Sequence, residues 1–260
     1  MMNAFTLKMI ALIAMVIDHA GAAFPQYIPF ESRIIGRLTF PIFVYLIAEG
    51  FRHTRNPKKF LLRLFAFAII SEIPFDLAIT RVGSYNQWHV DFLNNTNIFY
   101  TLFIGGLAIF VFQQIYESMS VRLNEESSNK DRLIAYFISV AIAIFPTLGL
   151  MHLAEFLTTD YAGYGVLFVF LMYVIKPKWL RITVFAVMNV FQQRWIIDWL
   201  RAGHSFYGMS RWLMMIPATL LTVPLIIFYN GKRGPSAKWL FYIAYPAHLA
   251  VLAAIAWFVA

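Results

Sequence analysis

Cysteine is absent from the chain, which rules out disulfides, thiolate metal sites and any acyl-cysteine intermediate. Charge is nearly as scarce. Only 13% of the 260 residues are Asp, Glu, Lys or Arg, against roughly 25% in an average soluble domain, while 60% are hydrophobic and 18% aromatic. Polar side chains are too few to cover a core of that size in water, so a water-soluble globular domain is excluded. Long hydrophilic stretches are also missing: the clearest is 117–131, where Glu125, Glu126, Ser127, Ser128, Asn129 and Lys130 form a polar connector. No P-loop, dinucleotide fingerprint, HExxH helix or GxSxG elbow occurs. Neither a fixed-period repeat nor a low-complexity tract is present, so an inverted-repeat transporter has no support.

What the chain does have is a series of apolar runs of helical-span length, at 5–24, 34–51, 60–79, 96–116, 132–157, 161–176, 179–200, 209–229 and 237–259. A bilayer core needs about 20 such residues per helix. The expected fold is therefore all-α, a polytopic bundle of about nine transmembrane helices (eight to ten), forming one domain over 1–260. Lys8, an apolar stretch and Ala20-Gly21-Ala22 imitate a signal peptide, but Asp18 and His19 interrupt the run where a signal peptide would be uniformly apolar.

The net charge of +8, from 21 Lys and Arg against 13 Asp and Glu, has a topological explanation. Placing the basic residues on alternate sides puts Arg33, Arg37, Arg81, Arg194, Arg201 and Arg211 on one side and the remaining fifteen on the other. The richer side is cytoplasmic by the positive-inside rule, so the N-terminus is expected in the cytoplasm. No basic run with interleaved aromatics lies outside the apolar segments, so no nucleic-acid partner is expected; membrane lipid is.

Ionisable groups inside a bilayer are costly, and each is a candidate for function. Counting 1.5 Å per residue from the cytoplasmic basic markers, His19 lies ~16 Å past Lys8, Glu72 ~14 Å past Arg63 and His248 ~15 Å past Lys238. Asn189 and Gln192 lie ~12 to 16 Å past Arg181, at the same level. Asp76 follows one turn outward of Glu72, and Arg37 lies towards the outer side. A lone intramembrane His or Asn is often only an interhelical hydrogen bond, an alternative that stays open for His248, Asn189 and Gln192. The adjacent Asp18 and His19 are harder to explain as packing. Neighbours on a helix point about 100° apart, so another helix must orient His19. Arg37 is a candidate to neutralise Asp18, and Glu72 to hold the imidazole tautomer. Pro74 is expected to kink its helix. His53 and His152 fall at opposite membrane edges, so no metal site is expected.

At the cytoplasmic face, Asn230-Gly231-Lys232-Arg233-Gly234 and nearby Lys238 read either as a positive-inside turn or as an anchor for the phosphates of a nucleotide-like donor. A proton-coupled transporter using Asp18, His19, Glu72 and Asp76 as a relay is the rival function that the carboxylates allow.

Several words of the sequence, in order, resemble the TraX family of membrane acetylases that modify F-type conjugative pilin. They are Lys8 through Met15-Val16-Ile17-Asp18-His19, Gly36-Arg37-Leu38-Thr39-Phe40-Pro41-Ile42-Phe43, Asn97-Ile98-Phe99, Tyr164-Gly165, and Phe241-Tyr242 through His248-Leu249-Ala250-Val251-Leu252. The resemblance implies a protein of the bacterial cytoplasmic membrane, with acetyl-coenzyme A as donor and the terminal amine of a membrane-inserted prepilin as acceptor. It places the catalytic base at His19, with Asp18, Arg37 and His248 as companions. The 80–95 loop and the acidic connector do not share in it.

Overall fold

The computed structural model describes residues 1–80, 90–120, 128–192 and 213–259. The first helix, α1 (Ala4–Ala23), starts where Asn3 adopts an extended backbone and its Oδ1 accepts from the Thr6 N–H at 3.0 Å, satisfying one of the donors a helix start leaves open. Pro25 and Pro29 then prevent it from continuing. There follow α2 (Glu31–Gly36), α3 (Thr39–His53), α4 (Pro57–Phe75), α5 (Ile98–Ser120), α6 (Asn129–Phe156), α7 (Ala162–Val174), α8 (Lys178–Phe191), α9 (Met215–Leu220), α10 (Thr222–Ile227) and α11 (Lys238–Val259). Their starts are written locally. Asn56 Oδ1 accepts from Lys59 N at 2.8 Å ahead of Pro57 at the first turn of α4, where a missing N–H is harmless. Ser128 and Asp131 form a reciprocal capping box on α6.

Every apolar run marked in the sequence contains helix, and no strand occurs among the described residues; the protein is an all-α membrane bundle. Among the described residues five helical segments are long and apolar enough to cross a bilayer: Ala4–Ala23, Glu31–His53, Ile98–Ser120, Asn129–Phe156 and Lys238–Phe258. The runs at 161–176 and 209–229 hold shorter apolar helices, Ala162–Val174 and Met215–Ile227. The run at 60–79 begins inside α4, a helix that carries Lys58, Lys59, Arg63 and Glu72. The last part of the 179–200 run lies outside the described residues, as do Arg81, Arg122, Arg194, Arg201 and Arg211.

The expected disturbance at Pro74 takes a specific form: α4 ends at Phe75 and passes into a π-helical turn, Asp76–Thr80. Pro74 cannot bond to the carbonyl one turn back, and the wider turn absorbs the change in register.

The helices cluster into two compact units. The first comprises Met1–Leu46, Ile69–Asp91 and Pro177–Ala260; the second comprises Ile47–Ala68 and Phe92–Lys176. In the second unit α5, α6 and α7 pack mutually around Ile104, Phe112, Tyr136, Val166 and Phe170, with Phe112 edge-on to both Tyr136 and Phe170. Lipid is as apolar as these side chains, so close packing and polar ties hold the helices together. Asn97 is one such tie: fully buried, it donates from Nδ2 to the Ala68 carbonyl at 2.8 Å and accepts from Phe99 N at 2.9 Å. Arg52 is another. Its Nη2 donates to the carbonyls of Met172, Tyr173 and Ile175 at 3.1, 2.6 and 3.4 Å, closing the C-terminal end of α7. On α6, Phe137, Ile142, Phe145, Leu148 and Phe156 are exposed, an apolar face that only a bilayer would solvate.

In the first unit α1 packs on α2 and on α11, the π-turn packs on α11 and α1, and α9 and α10 pack on α8. The N-terminus is laced to the turn before α11. Met2 N donates to Phe228 O and Asn230 N to Met2 O, both at 2.9 Å, while the carbonyls of Lys232 and Arg233 accept from Ala4 N (2.9 Å) and Phe5 N (3.2 Å). The positive φ of Gly231 and Gly234 lets the turn reverse at no steric penalty. These bonds set the starts of α1 and α11 at one end, and the two helices run on in the same direction.

Candidate active site

Two imidazoles meet where α1 and α11 pack. His19 Nδ1 lies 2.7 Å from His248 Nε2, and the rings are nearly parallel, inclined by 10° with centroids 5.0 Å apart. The Tyr245 ring, one turn before His248, stands edge-on to both at 5.9 and 5.6 Å and is buried. His248 Nδ1 lies 2.7 Å from the Ala244 carbonyl of its own helix. His19 and His248 are each half-buried, so the pair is reachable without being open. The common level worked out along the two helices thus corresponds to direct contact.

Asp18 faces α2 instead. Its Oδ1 lies 2.8 Å from Arg33 Nη1 and 3.8 Å from Arg37 Nη2. Arg33 Nη1 also donates to the Asp18 carbonyl at 3.0 Å, and Arg37 Nε donates to Arg33 O at 3.2 Å. The expected Arg37–Asp18 pairing is present, but Arg33 is the nearer partner. In the sequence Arg33 counts only as an outer-side charge; its spacing of four residues from Arg37, one helical turn, is the signal that the two share a face.

Two glycines make this approach possible. A Cβ on Gly36 would lie 2.2 Å from Asp18 Cγ and 2.4 Å from Asp18 Cβ, and one on Gly21 would lie 1.8 Å from Ser32 Oγ. Any side chain at either position would push α1 and α2 apart and carry Arg33 and Arg37 away from Asp18.

One sequence expectation is corrected, and the alternative left open for Asn189 is resolved. Glu72 does not orient His19: His248 occupies that position. Glu72 is instead fully buried on α4 beside the equally buried Ser71, and Asp76 Oδ2 accepts from Asp91 N at 2.7 Å. Asn189 is a helix tie, donating to Phe185 O at 3.0 Å and to Thr222 Oγ1 at 3.3 Å, and so joins α8 to α10 without facing the imidazoles. Gln192 caps the C-terminal end of α8, its N–H on Met188 O.

Of the anticipated donor-binding residues, Lys232 and Arg233 have exposed side chains and Lys238 is half-exposed. The backbones of Lys232 and Arg233 are committed to α1 and that of Lys238 to α11, and Lys238 Nζ lies over the Trp239 ring at 5.0 Å. Asn230 Oδ1 accepts from Lys232 N at 2.9 Å, so Asn230 serves the shape of the turn. Lys8, one level deeper, lies over the Phe241 ring at 5.3 Å. Among the described residues no three His, Asp or Glu side chains cluster as metal ligands.

The fold and the site define a polytopic helical membrane protein with a paired-imidazole centre between two of its helices and a basic turn where those helices begin. A family model described as TraX protein matches residues 4–256, and the chain belongs to the TraX family. The match runs through both units. A curated relative from Dichelobacter nodosus, "Probable fimbrial assembly protein FimC, serogroup H1", is 29% identical over 264 residues, covering 96% of this chain and 94% of that protein. No solved structure matches.

Proposed function

We propose that this protein is a membrane-embedded acetyltransferase of the bacterial cytoplasmic membrane, with its N-terminus inside. It moves acetyl from cytoplasmic acetyl-coenzyme A to an amine, such as a pilin N-terminus, or to a hydroxyl presented at the membrane. The observation that carries this reading is the His19–His248 pair: a half-buried imidazole held by a second imidazole within a span, beside an ion-paired Asp18. Membership of the TraX family and a relative named for fimbrial assembly support a pilus-related acceptor.

In this reading the donor's phosphates rest on Lys232, Arg233 and Lys238, and its pantetheine arm runs about 15 Å along α1 and α11 to the imidazoles. The acceptor nitrogen or oxygen attacks the thioester carbonyl carbon while His19 takes its proton. The tetrahedral intermediate places negative charge on the carbonyl oxygen. Arg37, in the arginine cluster beside Asp18, is the cation assigned to meet that charge. Collapse breaks the C–S bond, and the imidazolium of His19 returns the proton to the leaving thiolate. Products are the acetylated acceptor and coenzyme A, with His19 neutral again. The transporter reading is weakened because Asp18, the first member of its relay, is committed to two arginines.

Calorimetry with the detergent-purified protein and acetyl-coenzyme A tests the donor route. Wild type binds; Lys232→Ala/Arg233→Ala weakens binding roughly tenfold at low salt, since an exposed charge contributes up to about 1 kcal/mol, and His19→Ala leaves binding largely intact. Absence of binding by folded wild-type protein would refute the acetyltransferase reading.

A further inference from the structure

The two imidazoles fix each other's protons, and the Ala244 carbonyl fixes the direction. A carbonyl oxygen can only accept, so His248 Nδ1, 2.7 Å from Ala244 O, carries a hydrogen and donates it. In a neutral imidazole the other nitrogen then holds a lone pair. His248 Nε2 is therefore an acceptor, and the atom facing it at 2.7 Å, His19 Nδ1, is the donor. With its hydrogen on Nδ1, His19 carries its lone pair on Nε2, the nitrogen that faces neither His248 nor Ala244. The reverse assignment would put the lone pair of His248 Nδ1 against the lone pairs of Ala244 O at hydrogen-bonding distance, which is repulsive.

We propose that His248 is a positioning residue: anchored on the Ala244 carbonyl, it holds His19 in the Nδ1–H tautomer and presents His19 Nε2 as the basic atom. The role of His19 Nε2 as base rests on the acetyltransferase reading; the tautomer does not. Hydrolase triads use a carboxylate in this place. Here a neutral imidazole does the same orienting work without burying a second anion in the membrane, where an unpaired charge is expensive. His248 also receives a stronger hydrogen bond when His19 takes up a proton, because the donor then becomes cationic. Tyr245 walls the pair edge-on, and Leu249, next to His248 on α11, is fully buried.

The test is nitrogen NMR of protein labelled with 15N-histidine in detergent micelles above pH 8, with His19 assigned by its loss in His19→Gln. The expected wild-type result is a pyrrole-type Nδ1 and a pyridine-type Nε2 for His19, and the same for His248. His248→Leu removes the acceptor and should release His19 into a mixture of tautomers. His248→Gln, whose side-chain oxygen reaches the position of Nε2, should restore the wild-type His19 spectrum. A His19 that is Nε2–H in wild type, or one whose tautomer is unchanged in folded His248→Leu, overturns the proposal. With His19 assigned through His19→Gln, the wild-type spectrum decides even if a His248 variant fails to fold. Because the spectrum needs no donor or acceptor, a failure here is separable from a failure of acetyl-coenzyme A to bind.

Discussion

Gly36→Ala isolates the contact that assembles the Asp18–arginine cluster. The added Cβ would lie 2.2 Å from Asp18 Cγ and Oδ1 and 2.4 Å from Asp18 Cβ. Rotating the carboxylate relieves the first two contacts but not the third, because the backbone of α1 determines where Cβ sits. Carbon atoms reach a comfortable separation at 3.5–4.0 Å, so α1 and α2 must part by at least about 1 Å. Overpacking of this kind costs about 1–3 kcal/mol. Asp18 and Arg33 are 14% and 31% exposed, so loosening their bond adds only part of what a fully buried pair would lose. Alanine's better helix propensity offsets at most about 1 kcal/mol at the end of a short helix. The net loss should be about 1–3 kcal/mol, a fall in Tm of roughly 3–8 °C for a chain of this length, measured by thermal unfolding in detergent. Gly149→Ala is the control, since nothing lies within 4 Å of a Cβ there; it should gain up to about 1 kcal/mol through helix propensity alone. If both variants were stabilised alike, the close approach of α1 to α2 at Asp18 would be wrong.

Other perturbations separate stability from chemistry. Arg33→Met leaves the Asp18 carboxylate with its weaker partner and should lower stability by about 2 kcal/mol, more than Arg37→Met does, with thermal unfolding as the measure. Arg52→Met removes the donor that closes α7 onto three carbonyls and should cost about 2–3 kcal/mol, leaving acetyl-coenzyme A affinity unchanged in calorimetry. His19→Gln should reduce acetyl transfer to a free-amine peptide by on the order of 100-fold or more, without a change in Tm or in donor affinity; retention of full rate would remove His19 from the mechanism. The weakening of donor binding in Lys232→Ala/Arg233→Ala should shrink as salt rises from about 0.05 to 0.5 M, because exposed charges are screened over a shortening Debye length.

Composition and run length determined that the bilayer is this protein's solvent and that helices occupy the nine apolar runs, because both follow from how many consecutive residues can be withdrawn from water. Depth along a helix was legible as well. It depends only on a fixed rise per residue, which is why His19 and His248 share one level by count alone. Direction around the helix axis was not legible, since it is set by whichever neighbour packs closest. Tertiary structure therefore decided that His248 and not Glu72 meets His19, that Arg33 stands nearer to Asp18 than Arg37 does, and that Asn189 spends its amide on Phe185 and Thr222. The glycines at 21 and 36 show the same division. Each is an unremarkable letter in an apolar run until a second helix arrives within a side chain's radius of it. At that separation the absence of a single Cβ lets an aspartate and two arginines come together.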